Sequence, residues 1–301
     1  MMESKDLIRL IYNSIGIMTP FLLAAIGGLF TELAGILNIA LEGLILIGAF
    51  FSVIFVAFTD SLFYGILLGI LASMVVALIF GIVSLYLRAN IFISGLATNL
   101  FASGITIVLA FHFFGTKGNI IFKNVPKLPR FSSAFFQKIP IIGDTLVGQN
   151  ILVYLSWLIV VIAIIVIYKT PYGFRLRGIG LNPGVISSLG FDLRKYRLSA
   201  ILISGFTCGL AGAFLTIDLG AFVPNVSAGR GWIALVAIYL GNRNPLGIII
   251  ASFIFGFAES ISNYMQGTMN IPTDFVLAFP YLATVILMIF YSILRHAKEK
   301  E

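Results

Sequence analysis

KTPYGFRLRGIGLNPGVISSLGFDLRKYR, residues 169–197, is a polar stretch in an otherwise apolar chain, and the fold can be worked out from it. It carries one acidic residue, Asp192, and six basic residues: Lys169, Arg175, Arg177, Arg194, Lys195 and Arg197. An excess of lysine and arginine in a short loop between apolar spans marks the cytoplasmic side of a membrane. Residues 169–197 are therefore predicted to form a cytoplasmic loop.

A short helix is predicted inside this loop. Asn182-Pro183-Gly184 opens a run that ends at Gly190, and this order is typical of a capped helix of about two turns. A small helix at the surface of a membrane is suited to docking a partner protein.

The composition places the whole chain in a membrane. Of its 301 residues 59% are hydrophobic and 10% are charged, and the mean hydropathy is +1.07. Soluble domains have a charged fraction nearer a quarter. The net charge of +7 does not indicate nucleic acid, because the basic residues lie between apolar spans rather than on one face. Residues 1–301 are predicted to form one polytopic membrane domain.

Nine charge-poor stretches are candidates for crossings, since about 20 apolar residues span a bilayer. They are residues 10–30, 43–59, 61–87, 89–116, 145–168, 198–217, 219–242, 244–264 and 275–294. The basic tail from Arg295 to Lys300 then falls on the cytoplasmic side, as does the 169–197 loop. Residues 117–144 become an extracytoplasmic loop, although five lysines and arginines lie there. Either this loop meets an acidic partner, or an excess of basic residues is tolerated on the outer side of the membrane.

The number of crossings and the side of the N-terminus are coupled. Nine crossings put the N-terminus outside, whereas an inside N-terminus requires a re-entrant stretch or a hidden crossing. In 219–242 only residues 231–242 are cleanly apolar, and 89–116 is expected to be broken by Ser94-Gly95, Asn99 and Ser103-Gly104. Broken helices are tolerated where they are buried in protein or line a wet cavity. The sequence therefore predicts an all-α membrane protein of about eight to ten transmembrane helices, with interruptions along a translocation path.

Asn38 and Glu42 are the first candidates for contact with a solute. A carboxylate in hydrocarbon costs several kcal/mol and must face a cavity, a partner or an interface. Glu42 could hydrogen-bond a polar solute together with Asn38. Alternatively it lies in the first turn of a helix that begins near Asn38, where the helix dipole favours a carboxylate.

Other polar and aromatic residues at the predicted breaks complete the proposed path. Arg230 beside Trp232 could equally anchor the chain at the headgroup level. Aromatic rings could stack on a flat base or sugar. The predicted path residues are Asn38, Glu42, Ser94, Asn99, Phe222, Asn225 and Trp232.

Motifs for catalysis are absent from the sequence. It contains no G-x-x-x-x-G-K-[ST] for nucleotide phosphates, no H-E-x-x-H and no C-x-x-C, and His112 and His296 lie far apart. The chain is not expected to be an enzyme, and no metal or cofactor is predicted within it.

Four separated motifs resemble the permease subunits of bacterial ABC importers, in the branch for nucleosides and simple sugars. They are NIALEGLILIGAF at 38–50, SGLATNL at 94–100, the G-x-N-P loop at 180–190 and GRGWIALVAIYLGNRNPLG at 229–247. The resemblance implies a type II importer fold in the bacterial cytoplasmic membrane, and import of a nucleoside or simple sugar by alternating access. It also implies a cytoplasmic ATPase that holds ATP and magnesium, a second homologous permease and an extracytoplasmic substrate-binding lipoprotein.

In such a permease the short loop helix couples the membrane domain to the ATPase. The coupling residues implied here are Asn182, Pro183, Gly184, Val185, Ile186, Ser187 and Gly190. Family members usually have alanines where Val185 and Ile186 stand, and glycine where Ala40 stands. The larger pair adds bulk to the docking helix. The competing interpretation is an ion-coupled secondary transporter or a channel.

Overall fold

The computed structural model describes residues 4–123, 125–130, 145, 147–268 and 289, and they form a bundle of helices. A two-stranded antiparallel sheet pairs Ile120 with Phe222. The elements are α1 Ser4–Leu33, α2 Leu41–Thr59, α3 Leu62–Gly81, a π-helical turn Ile82–Tyr86, α4 Ile91–Phe114, β1 Ile120–Ile121, α5 Ile151–Lys169, α6 Pro171–Leu181, α7 Pro183–Ser188, α8 Leu193–Ile217, β2 Ala221–Phe222, α9 Arg230–Leu240 and α10 Pro245–Thr268.

Seven helices of the described part are long and apolar enough to cross a membrane: α1 to α5, α8 and α10. Each coincides with a predicted span, and this confirms the all-α polytopic fold. The predicted span 275–294 lies outside the described residues except for Ile289, as does most of the loop after Arg130.

Helix packing relies on small residues where backbones approach closely. A Cβ atom at Gly48 of α2 would lie 2.7 Å from the Cα of Gly209 in α8. Small residues at such crossings let transmembrane helices gain dispersion contacts without a hydrophobic driving force. The free thiol of Cys208 is buried at this crossing, as expected for a packed core residue.

The two ends of α1 lie on opposite sides of the bundle. At its C-terminal end Arg197 donates from Nε to the carbonyl oxygen of Ala34 over 3.2 Å, and this places that end beside the 169–197 loop. Near its N-terminal end the hydroxyl of Tyr12 donates to the carbonyl oxygen of Gly148 over 2.8 Å, just before α5 begins. We call the side of the 169–197 loop the inner face and the other side the outer face. The start of α1 at the outer face agrees with the nine-crossing alternative.

The predicted break in 89–116 is wrong, because α4 runs without interruption from Ile91 to Phe114. Gly95 serves packing: a Cβ atom there would lie 2.9 Å from the Cβ of Ile39 in the connection before α2. Asn99 directs its amide out of the helix, to the same connection. These small and polar residues therefore mark a close helix contact rather than a break.

The interruption predicted in 219–242 is present. After β2 the chain turns through residues 223–229, with positive φ at Asn225, Ala228 and Gly229, before α9 begins. Helix α9 has 11 residues, and its length of about 16 Å is roughly half of a bilayer's hydrocarbon core. Its C-terminal end reaches the inner face, where the hydroxyl of Tyr239 donates to Glu32 over 3.1 Å.

Candidate functional site

Helix α2 begins well inside the membrane. After α1 ends at the inner face, the chain rises to Asn38, whose Nδ2 donates to the hydroxyl of Ser204 over 2.8 Å. Ser204 lies about 10 Å further along α8 than Arg197, the residue that marks the inner face. The start of α2 also lies beside the start of α9, which is about 16 Å from the inner-face end of that helix, so it lies near the middle of the bilayer.

Two asparagines satisfy the backbone groups at this buried helix start. Asn38 accepts at Oδ1 from the backbone N–H of Ala40 over 3.1 Å. Asn99 of α4 accepts from the N–H of Gly43 over 2.8 Å and donates to the carbonyl oxygen of Ile39 over 2.9 Å. Unpaired backbone groups at membrane depth cost several kcal/mol each, so these amides make the break in the chain tolerable.

Glu42 joins the start of α2 to the start of α9. Its two carboxylate oxygens accept from the backbone N–H groups of Gly229 over 2.8 Å and Gly231 over 2.7 Å. The carboxylate thus lies in the first turn of its own helix and also at the positive end of α9. A Cβ atom at Gly231 would lie 2.5 Å from the Cα of Glu42, so only glycine permits this contact. The helix-start interpretation of Glu42 is confirmed and extended to a second helix.

A polar surface at the same depth faces away from the bundle. It comprises Asn99, Ser103, Asn225 and Trp232, and we call it the mid-depth surface. The hydroxyl of Ser103 donates to Oδ1 of the exposed Asn225 over 2.9 Å, and Trp232 is 41% exposed. Hydrocarbon cannot satisfy the non-helical backbone of residues 223–229, so protein or a water-filled path must cover this surface.

Five of the seven predicted path residues come together around these two helix starts: Asn38, Glu42, Asn99, Asn225 and Trp232. Ser94 lies further along α4 towards the inner face and is only 8% exposed. Phe222 is fully buried with its ring edge-on to Phe50 at a centroid distance of 4.9 Å. In this conformation Phe222 is packed away from any solute.

Two ion pairs in the bundle were not expected from the sequence. Arg230 contacts Glu259 over 2.8 Å with both side chains about four-fifths buried, and Arg243 contacts Glu32 over 2.8 Å. The first pair joins α9 to α10, and the second joins the turn between α9 and α10 to the end of α1. The partners are distant in sequence, so the neighbours of these residues did not reveal them.

The predicted docking helix in the inner loop is present as α7. Asn182 caps it by accepting from the N–H of Val185 over 3.3 Å, and Gly190 ends the turn at a φ of +83°. Ile186 packs back onto α6, with its Cδ1 2.8 Å from where a Cβ atom on Gly178 would be. Val185 is 55% exposed. Of the two bulky residues, only Val185 therefore enlarges the exposed surface of α7, because Ile186 packs against α6.

Aromatic contacts hold the loop in one shape. The guanidinium of Arg175 lies 4.2 Å from the ring centre of Phe191, and the rings of Tyr172 and Tyr196 stack at 5.7 Å. Cation–π contacts of this kind contribute about 0.5–1 kcal/mol at exposed sites. Burial raises the pKa of Tyr172, against the opposing effect of its hydrogen bond with Ser199. Its hydroxyl therefore stays protonated within the loop.

Comparisons with known proteins agree with this architecture. Residues 10–291 match the family model for the permease component of branched-chain amino acid transport systems. The nucleoside ABC transporter permease protein NupC of Lactococcus lactis is 32% identical over 93% of this chain and 90% of its own length. The guanosine ABC transporter permease proteins NupQ and NupP of Bacillus subtilis are 32% and 22% identical, over 89% and 85% of this chain and 87% and 73% of their own lengths. No solved structure matches the chain.

Permeases of this kind are transport subunits that in general work with an ATPase and a substrate-binding protein. Seven helices in the described residues are long and apolar enough to cross a membrane, and this agrees with a family match along nearly the whole chain. The chain therefore belongs to the family of permease components of branched-chain amino acid transport systems, as a multi-pass ABC transporter permease of the bacterial cytoplasmic membrane.

Proposed function

We propose that this chain is the membrane-spanning subunit of an ATP-driven importer that moves nucleosides into the cytoplasm. The observation that carries the proposal is the position of Glu42. Its carboxylate holds the starts of α2 and α9 together beside the mid-depth surface, and we call this contact the Glu42 clamp. The nucleoside follows from the names of the relatives, NupC for nucleosides and NupQ for guanosine.

The solute path runs along the mid-depth surface and is closed by a second permease on its other side. Exposed non-helical backbone at residues 223–229 requires such a cover in a bilayer. Two guanosine permeases of one organism, NupQ and NupP, are both similar to this chain, and this supports a heterodimer of related permeases. Ser103, Asn225 and Trp232 would then offer the solute a few hydrogen bonds and one ring in an otherwise apolar path.

Helix α7 receives the conformational change of the ATPase. ATP and magnesium are bound by that partner subunit. Leu181, Val185 and Leu189 are 88%, 55% and 65% exposed, and they form an apolar patch at the tip of the inner loop. Exposed apolar patches of this kind, rimmed by polar residues, mark docking sites.

A chain of contacts leads from α7 to the helix starts. Ile186 of α7 packs on α6, and Gly180 of α6 packs against the carbonyl group of Leu33 at the end of α1. The connection 34–40 follows directly and carries Asn38 into the middle of the bundle. A shift of α7 would therefore move the start of α2 and, through Glu42, the start of α9. This supports alternating access, with the discontinuous helices as the moving elements.

The outer face would receive the substrate-binding lipoprotein. The β1–β2 pair lies there, and β2 leads directly into residues 223–229. The basic residues of 117–130 next to this pair suit an acidic partner surface.

Transport in liposomes tests the proposal. The permease is co-reconstituted with its second permease, its ATPase and its binding protein, and uptake of radiolabelled guanosine is followed. Uptake should require ATP hydrolysis and should be insensitive to a protonophore. Uptake that persists without the ATPase and collapses with the protonophore would favour the ion-coupled alternative.

A further inference from the structure

A polar crevice lies on the outer side of the bundle, away from the mid-depth surface. It has a volume of about 510 Å³ and is bounded by α1, α10, the end of α8 and Gln149 before α5. Nine of the fifteen described residues that line it have polar or charged side chains. A second cavity of the same volume, between α3 and α5, is lined almost wholly by apolar residues, as expected for a groove that faces lipid. The polar lining therefore distinguishes the first crevice from the lipid-facing surface.

The crevice reaches deep into the membrane. On α1 it extends from Asp6 to Pro20, a distance of about 20 Å along the helix axis. Arg230, the first residue of α9, forms part of its wall and is paired with Glu259. Charged side chains at such depth face a water-filled cavity or a partner, and Arg230 lies beside both the crevice and Glu259.

Several hydrogen-bonding groups in the crevice have no protein partner. Within the described part of the chain, the side-chain amides of Asn13 on α1 and Asn263 on α10 make no hydrogen bond. The Nε–H of Arg230 is buried and also lacks a partner among the described residues. The two amides are exposed, so a ligand that enters the crevice can hydrogen-bond to both of them.

The chemistry of these groups selects a ligand. A carboxamide offers two donors and one acceptor, and it can bind the edge of a purine through two hydrogen bonds. The rings of Tyr12 and Phe214 line the same crevice and provide flat apolar surfaces on which a base can stack. A sugar also matches the amides, but it covers the face of an aromatic ring less completely than a flat base does.

We propose that the crevice is a nucleobase-binding site within a single permease subunit, separate from the path between the two permeases. The proposal rests on nucleosides being the transported solute. Arg230 lies between Gly229 and Gly231, the two residues held by Glu42, so a ligand in the crevice contacts the start of α9 directly. The site therefore receives solute from the outer face, and the bound solute contacts α9, the helix that moves in the transport cycle.

Equilibrium binding tests this site without the transport cycle. The permease alone is purified in lipid nanodiscs, and binding of radiolabelled guanosine is measured with guanine and ribose as competitors. Guanine should compete and ribose should not. The double variant Asn13→Leu with Asn263→Leu should bind at least about tenfold more weakly. Gln266→Leu is the matched control, because Gln266 is exposed on α10 and does not line the crevice.

Size-exclusion and thermal unfolding profiles of the variants confirm that they are folded; if the double variant does not fold, Asn263→Leu alone is measured. Unchanged guanosine binding in the variant, or competition by ribose as strong as by guanine, would overturn the proposal. Uptake by the complete unmodified transporter tests nucleoside import separately. Normal guanosine uptake together with unaltered binding in the variant would reject the crevice and leave the proposed function standing.

Discussion

Replacing Glu42 by glutamine tests the junction between α2 and α9 with little change of shape. The carboxylate accepts two backbone hydrogen bonds, from Gly229 and Gly231. A glutamine side chain has one acceptor oxygen, and its NH₂ group would face the second N–H. One buried donor is then left unsatisfied, which costs about 1–3 kcal/mol. Loss of the negative charge from the positive end of α9 adds about 0.5–1 kcal/mol.

The expected loss is therefore about 2–4 kcal/mol in the free energy of unfolding, together with a strong decrease in transport. Denaturant titration in detergent measures the first, and ATP-driven guanosine uptake measures the second. Asp60→Asn is the matched control, because it removes the same charge at an exposed residue beyond the end of α2 and asparagine tolerates the positive φ found there. If the Glu42→Gln variant matched this control in both stability and uptake, the clamp would have no role.

Three further substitutions, two of them compared with a second variant, separate the parts of the proposed transport mechanism. Gly231→Ala should destabilise the fold by several kcal/mol, since its Cβ atom would lie 2.5 Å from a backbone carbon of α2. Gly104→Ala, whose Cβ atom would meet no described atom within 4 Å, should be neutral or slightly stabilising in the same unfolding assay. Val185→Asp should abolish co-purification of the ATPase while the thermal unfolding curve stays unchanged; retained ATPase would remove α7 from the docking surface. Arg230→Gln should cost about 3 kcal/mol in denaturant titration, because it leaves a mostly buried carboxylate unpaired. Arg243→Gln should cost less, because Glu32, although its side chain is only 11% exposed, keeps the hydrogen bond from the hydroxyl of Tyr239; equal losses would contradict this reasoning.

The spans and the short helix α7 could be predicted from the sequence because both depend on local patterns. The length of an apolar run determines whether it crosses the bilayer, and each described span ends within a few residues of the prediction. Asn182 and Gly190 likewise have their capping roles because of their own conformational preferences.

The centre of the molecule could not be predicted to the same extent, because contacts between distant parts of the chain decide it. Small residues and Asn99 suggested a broken α4, yet they serve contacts with another element. The partners of Glu42 lie 187 and 189 residues away, and the sequence around Glu42 gave no sign of them. Phe222 looked available to a solute, but pairing of β2 with β1 buries it.

The central claim is that the mid-depth surface lines a water-filled path. The chain has one cysteine, Cys208, which is buried, so single introduced cysteines can be labelled against an unreactive background. Trp232→Cys would be compared with Ile162→Cys, which is exposed on α5 where the apolar groove faces lipid. In the assembled transporter we expect a membrane-impermeant thiol reagent to modify Cys at position 232, to do so at a rate that changes with ATP, and to leave position 162 unmodified. Equal rates at the two positions, or an unreactive position 232 in every nucleotide state, would contradict the account.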